Sequence, residues 1–532
     1  MYRPTVLVKQ GWLRGAEVKS EVGGAFISFK GVPFAEPPVG ELRFKDPQPK
    51  QAWTGVREAL EDGPQCPQID MFSQKIEGDE DCLYLNVATT SLKGSRPVMV
   101  WFHGGGFIWG DAGSRLYGPD YLVKHNVIVV KIHYRLGIFG FLQLEDEAAA
   151  GNMGLKDQAA GLKWVKENIT QFGGDSNNVT IFGESAGGVS VHYHLLSPFS
   201  KGLFHKAIVQ SGVAINPWAC TPSPVNLVRR LVAHLGKETT DSKEIVEFLR
   251  TIAAHKLAGA LQNLTSIPGK TAITLPFGPS IDSKSAEPFI PRHPCELIYE
   301  AQDVPVMFGY NSVEGIILIQ TIESGGESRM EQVFEQLVSR MLSEFPTSKM
   351  SHAKAEIKEY YFGEKDISKD VIDSYIQFLG DTCFVLGIHE AALIQAKAKS
   401  PSYFYRFSHD SPQKLSKHFL HLEIDIKGAG HMDELAYIFR PEAFPDVPFI
   451  EPGSVEQIIS ERFLRLWTDF AKTGNPTPKI DDLIRENWQP MSTTTKNYLN
   501  IDAELTPSVD PDQEMWKFWK SIRTTGTTRK LQ

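Results

Sequence analysis

Short runs of β-branched and aromatic residues alternate with stretches of helical periodicity along most of the chain. The runs 98–102 (VMVWF) and 127–132 (VIVVKI) are almost continuously apolar, as expected of strands covered on both faces. Between 154 and 172, Leu155, Ala159, Leu162, Val165 and Ile169 share one helical face, and Gly173-Gly174 stops the helix. A strand at 179–182 follows, then a glycine-rich turn and a helix of small residues from Ala186 onward. Further strands are predicted at 11–15, 207–209, 304–308 and 403–407. The stretches from about 220 to 300 and from about 325 to 400 read as mainly helical insertions over the sheet. This alternation predicts an α/β fold with a large, mostly parallel sheet flanked by helices. No repeat, heptad array or clean linker interrupts it, so 1–532 reads as a single domain.

Composition narrows the function classes. The chain is 42% hydrophobic, enough for a sizeable core and against disorder. A net charge of -9 lacks the basic footprint of a nucleic-acid binder. No window holds about eighteen consecutive apolar residues, so no transmembrane helix is predicted. Residues 1–9 carry no apolar segment followed by a small-residue cleavage site. A cytoplasmic protein is therefore expected, the alternative being a secreted one whose signal peptide is absent from this sequence. Five cysteines are too few for a disulfide scaffold in a chain this long. Cys66 and Cys82 flank a polar segment and could close a loop, whereas Cys220, Cys295 and Cys383 read as inert thiols. The sequons at Asn168, Asn178 and Asn263 discriminate little.

Candidate chemistry sits at the turns. Gly183-Glu184-Ser185-Ala186-Gly187 joins a predicted strand to a predicted helix. The pattern G-x-S-x-G forces a turn so tight that the central residue is strained, and it leaves the Ser185 hydroxyl clear at a helix N-terminus. His103-Gly104-Gly105-Gly106 follows another strand, where successive glycines let backbone N–H groups face a site. With the N–H of Ala186 they satisfy the requirement for an oxyanion hole; His103 reads as structural. A serine needs a histidine to take its proton and an acid to orient that histidine. Of fifteen histidines, His431 stands out, in a glycine-rich loop leading into a helix. Glu314 follows a strand's C-terminal end, where active sites of open α/β sheets collect. On chemistry alone Asp433 and Glu434 remain rivals for the acid.

Taken together these motifs resemble the type-B carboxylesterase/cholinesterase family of α/β-hydrolases. The likeness spans most of the chain, from Phe29-Lys30-Gly31-Val32-Pro33-Phe34 through Glu80-Asp81-Cys82-Leu83-Tyr84-Leu85-Asn86 and Gln210-Ser211-Gly212 to the Glu314 and His431 motifs. The resemblance implies Ser185 as nucleophile, His431 as base, Glu314 as acid, and Gly105, Gly106 and Ala186 as oxyanion donors. It implies a Cys66–Cys82 disulfide, structural salt bridges at Arg43, Arg135 and Asp157, and supporting positions around the triad at Glu184 and Ser211. Between Cys66 and Cys82 there is no tryptophan, which weighs against choline esters. The run Gln210 to Ala219 looks like the insect α-esterase branch, where the residue matching Trp218 lines the acyl pocket. Juvenile hormone esterases of insects typically carry Gln before the nucleophile, where this chain has Glu184.

The expected protein is thus a serine carboxylesterase of broad, detoxifying specificity, monomeric or weakly dimeric, acting without metal or cofactor on small ester substrates. Organophosphates are expected to inhibit it at Ser185. With His431 as base, the apparent pKa of kcat/KM is expected at roughly 6 to 7. A juvenile hormone esterase and a lipase are the alternatives within the class. A catalytically silent binding or adhesion protein on the same fold is the alternative outside it.

Overall fold

The computed structural model describes residues 2–265, 275–319, 326–343, 345–421 and 427–526. The apolar runs pair into an 11-stranded sheet. Its strands are β1 (Ala16–Lys19), β2 (Ala25–Pro33), β3 (Tyr84–Thr89), β4 (Arg96–Phe102), β5 (Ile128–Ile132) and β6 (Gly174–Glu184). They continue with β7 (Lys206–Gln210), β8 (Val306–Asn311), β9 (Ser402–Phe407), β10 (Asn497–Ile501) and β11 (Leu505–Val509). The spatial order is β11-β10-β9-β8-β7-β6-β4-β5-β3-β2-β1. The stretch from β5 to β10 in that order is parallel, and β11, β3, β2 and β1 are added antiparallel. The fold is α/β, as the alternation predicts.

The parallel centre is dry because helices pack over it. These include α1 (Met153–Asn168), α2 (Ala186–Leu196) and α3 (Val455–Thr473), the last placing Phe463, Trp467 and Phe470 in the core. Both predicted insertions are helical, with Val225–His234 and Ser242–Thr251 in the first and Gly326–Met341 and Thr347–Phe362 in the second. The helical stretch Lys369–Gln395 is long and apolar enough to cross a membrane, but 78% of its apolar window is buried in the protein. Core packing therefore accounts for its hydropathy.

Several features differ from the sequence expectation: β1, β2, β3 and β10 are not among the predicted strands, and the predicted strand at 11–15 pairs in a separate three-stranded sheet. Strand β6 starts at Gly174 and not at 179, with a register shift between Gly174 and Val179. The polar residues there mask the strand's start, and the pairing is irregular across them. The edge strand β11 escapes pattern reading because its burial does not alternate and it contains Pro507, tolerated only where no ladder partner is needed.

Cys66 and Cys82 are joined by a disulfide. Arg43 donates from Nε to Glu80 at 2.6 Å, and Arg135 is buried against Asp157 with bonds of 2.7 and 2.8 Å. Fork-shaped, fully paired contacts of this kind are how a guanidinium is tolerated inside a core. Asn168 is buried, accepting from the Lys9 amide and donating to the Trp164 carbonyl, so that sequon offers no free amide. The Asn263 side chain lies outside the described ones.

Candidate active site

Sheet register sets the site. Gly183 pairs with Phe102, Glu184 with Gln210, and Gln210 with Gly309. The carboxyl ends of β4, β6, β7 and β8 therefore lie side by side, and each is followed by a candidate residue or turn. This is the end of a parallel sheet where ligands bind.

After β6 the chain reverses into α2 through Ser185, held at φ 59°, ψ -122°. A non-glycine residue there is strained, and the surroundings must over-determine it. The Ser185 amide donates to the Gln210 carbonyl at 2.9 Å and its carbonyl accepts from Val189. A Cβ on Gly183 would lie 2.6 Å from the Gly187 carbonyl, and one on Gly187 would overlap the Phe102 carbonyl. Both glycines are thus required by backbone approach. The Ser185 hydroxyl is half-buried and, among the described residues, makes no hydrogen bond.

Gly105 and Gly106, at φ 101° and 57°, turn the chain after β4 and line a cavity of about 200 Å³ with Ser185, Trp218 and His431. Among the described residues the amides of Gly105, Gly106 and Ala186 donate to no protein acceptor. His103 is buried and stacked on Tyr134 with its Nδ1 2.8 Å from the Gly104 carbonyl; burial lowers its pKa to about 4. It is a neutral structural ring.

Two loops are laced together to bring Glu314 to His431. The Val313 amide donates to the Ala429 carbonyl at 2.8 Å, and Asn311 Nδ2 donates to the Gly430 carbonyl at 2.7 Å. Glu314 Oε2 then lies 2.5 Å from His431 Nδ1, both groups being buried. The other oxygen, Oε1, accepts from Ser211 Oγ and the Asn311 amide, each at 2.6 Å. The rival acids are engaged elsewhere. Asp433 accepts from the Ser416 and Gly430 amides, at 2.7 and 2.6 Å. Glu434 accepts from Gln210 Nε2 at 3.0 Å and Asn311 Nδ2 at 2.5 Å; burial and the Glu184 charge push its pKa to about 8.

Sequence reading placed Glu184 around the triad but not in contact with the imidazole, and it missed Phe384 and Asn311. Glu184 Oε1 lies 3.0 Å from His431 Nε2, so the imidazole bridges two carboxylates. The Phe384 ring packs on the imidazole at 4.9 Å. Asn311 ties both loops to Glu314 and Glu434; its place in Gly309-Tyr310-Asn311-Ser312-Val313-Glu314 was the available signal. Burial alone would depress His431, but the Glu184 and Glu314 carboxylates outweigh it and hold its pKa well above 6.5.

Trp218 is 9% exposed, donates Nε1 to the Cys383 carbonyl at 2.9 Å and borders the cavity beside Phe384. Cys383 and Phe384 belong to one π-helical turn, Asp381–Val385, whose altered bonding frees carbonyls for Trp218 and Asn216. The cavity's remaining lining is mainly apolar, with Met71, Trp109, Leu275, Ile317 and Leu420. Among the described residues no cluster of His, Cys, Asp and Glu could hold a metal ion.

Residues 2–519 match the carboxylesterase family. The chain belongs to that family. A juvenile hormone esterase of Tribolium castaneum is 37% identical over 508 residues, covering 89% of this chain and 84% of that protein. Esterase E4 of Myzus persicae is 35% identical, covering 92% and 89%. The crystal structure of a juvenile hormone esterase from Manduca sexta, with OTFP covalently attached, superposes with a TM-score of 0.86 at 28% identity. That match covers 98% of this chain and 100% of the other, and gives this carboxylesterase the α/β-hydrolase fold.

Proposed function

We propose that this carboxylesterase is a broad-specificity serine hydrolase of small carboxylic esters, working through an acyl-enzyme on Ser185. The observation that carries the reading is the Glu314–His431 pair facing the same apolar cavity as the strained Ser185. Ser185 Oγ attacks the ester carbonyl while His431 Nε2 takes its proton. The carbonyl oxygen, now an oxyanion, is stabilised by the amides of Gly105, Gly106 and Ala186. His431 gives the proton to the departing alcohol and then activates water, which releases the acid. Glu314 holds the imidazole by Nδ1 throughout, with Ser211 orienting Glu314.

Since Nε2 faces Glu184 at 3.0 Å, the imidazole must shed a proton stabilised by two carboxylates before it serves as base. The sign follows: kcat/KM rises with pH as His431 becomes neutral, and the rise centres above pH 6.5. Glu184→Gln removes one carboxylate and shifts that limb to lower pH. A pH profile of kcat/KM for both proteins checks this, and coincident limbs would remove Glu184 from control of His431.

The acid half of the ester is assigned to the space beside Trp218, whose indole favours short acyl chains. Trp218→Leu opens that space. The ratio of bulky-acyl to butyryl p-nitrophenyl ester hydrolysis is expected to rise by roughly ten- to two-hundred-fold. Loss of stability with an unchanged ratio would make Trp218 a packing residue only. The likeness to the Tribolium enzyme favours a second reading, juvenile hormone hydrolysis. Against it stands Glu184 where those enzymes typically have Gln; turnover of a juvenile hormone beside simple esters separates the two.

A further inference from the structure

Behind the wall that carries Trp218 lies a second and larger cavity, of about 860 Å³. The two spaces share the same two segments. Trp218, Cys383 and Phe384 face the candidate active site, whereas Ile215, Pro217, Thr382 and Leu386 face the second cavity. Such a volume is in the range of small-molecule sites. Its lining combines apolar side chains, among them Phe345 and Trp519, with the guanidinium of Arg340.

Arg340 closes the helix Gly326–Met341 and is half-buried. The last turn of a helix suits a cation, yet the guanidinium has little else. Among the described residues its one hydrogen bond is a long one, from Nη2 to the Cys220 carbonyl at 3.4 Å, and no carboxylate pairs with it. The other charged groups on the cavity are accounted for. Glu390 is taken by Arg523 at 2.9 Å, and His293 caps a short helix through the Cys295 amide. The remaining donors of this half-buried guanidinium are not sealed in the core, so a ligand in the cavity can reach them.

We propose that this cavity binds an amphipathic carboxylate, its head group on Arg340 and its hydrocarbon chain against Ile215, Pro217, Phe345 and Leu386. The planar fork of Arg340 matches a carboxylate. Carboxylic acids are also what ester hydrolysis releases, so a ligand of this class is present wherever the enzyme works. The site rests on the cavity and on Arg340, and not on the assignment of Trp218 to the acyl group.

The test is calorimetric titration of decanoate into the wild-type protein, Arg340→Met and Arg340→Lys at neutral pH, with decanol as the uncharged probe. Decanoate should bind the wild type, bind Arg340→Met about tenfold more weakly or worse, and bind Arg340→Lys in between. Decanol should not distinguish the three. Hydrolysis of p-nitrophenyl acetate should be unchanged in the Arg340 variants, and decanoate bound at the second site should not compete with that ester. If Arg340→Met lowers Tm, Ile215→Trp keeps the charge but fills part of the cavity, and it must also weaken decanoate. Three results would overturn the proposal: no binding to the wild type, equal affinity in a stably folded Arg340→Met, or binding that competes fully with the ester and ignores Arg340.

Discussion

Ser185→Ala is expected to lower esterase turnover by on the order of a million-fold while leaving Tm close to that of the wild type. The size of the loss follows from covalent catalysis. Without the hydroxyl no acyl-enzyme forms, and the oxyanion amides alone retain only a small residue of the rate. The stability half follows from the environment. The hydroxyl makes no hydrogen bond among the described residues, so removing it orphans no partner. Alanine at φ 59° is no more strained than serine there. Steady-state rates on p-nitrophenyl butyrate together with a thermal melt check both halves. Turnover within tenfold of wild type would remove Ser185 from the mechanism.

Glu314→Ala carries the second-largest expected effect, roughly ten-thousand-fold in kcat. Three things are lost at once: the 2.5 Å contact that fixes His431 Nδ1, the charge that stabilises the imidazolium, and the acceptor of Ser211 and the Asn311 amide. Glu434→Gln is the matched control. Burial holds its carboxyl neutral up to about pH 8, and it faces Gln210 and Asn311 rather than the imidazole. Its loss is expected to be under tenfold, an order set by the roughly 1 kcal/mol worth of a typical hydrogen bond. Asp433→Asn should act through stability, because Asp433 anchors the Ser416 and Gly430 amides. A nearly silent Glu314→Ala beside a crippling Glu434→Gln would transfer the acid's role to Glu434.

The parts of the molecule legible from sequence are those where one local rule decides the outcome. Strands β4 and β5 read as apolar runs because both sheet faces are covered, and α1 read from its single apolar face. The turn at Ser185 is legible because backbone-to-backbone approach demands glycine at 183 and 187. Long-range pairing is not local, and that is where reading fails. Nothing in the run of residues shows that Glu184, directly before Ser185 in the chain, reaches across to His431 Nε2. Nor does composition reveal that Asn311 bonds to Gly430, or that Arg340 borders a cavity in which no carboxylate among the described residues pairs with it. Choosing among Glu314, Asp433 and Glu434 needed the family likeness, because three buried carboxyls differ only in what they touch. Edge strand β11 failed for another reason: it is exposed, so its sequence carries no burial pattern.

Covalent labelling tests the central claim most directly. An organophosphate transfers its phosphoryl group to an activated serine, and the product mimics the tetrahedral intermediate in the oxyanion hole. Intact-mass analysis after treatment with a fluorophosphonate, followed by peptide mapping, reads the outcome. One adduct per chain, on the peptide containing Gly183-Glu184-Ser185-Ala186-Gly187, with activity lost in proportion to labelling, is the predicted result. Full inactivation with the adduct on another residue, or stoichiometric labelling of Ser185 that leaves turnover intact, would contradict it.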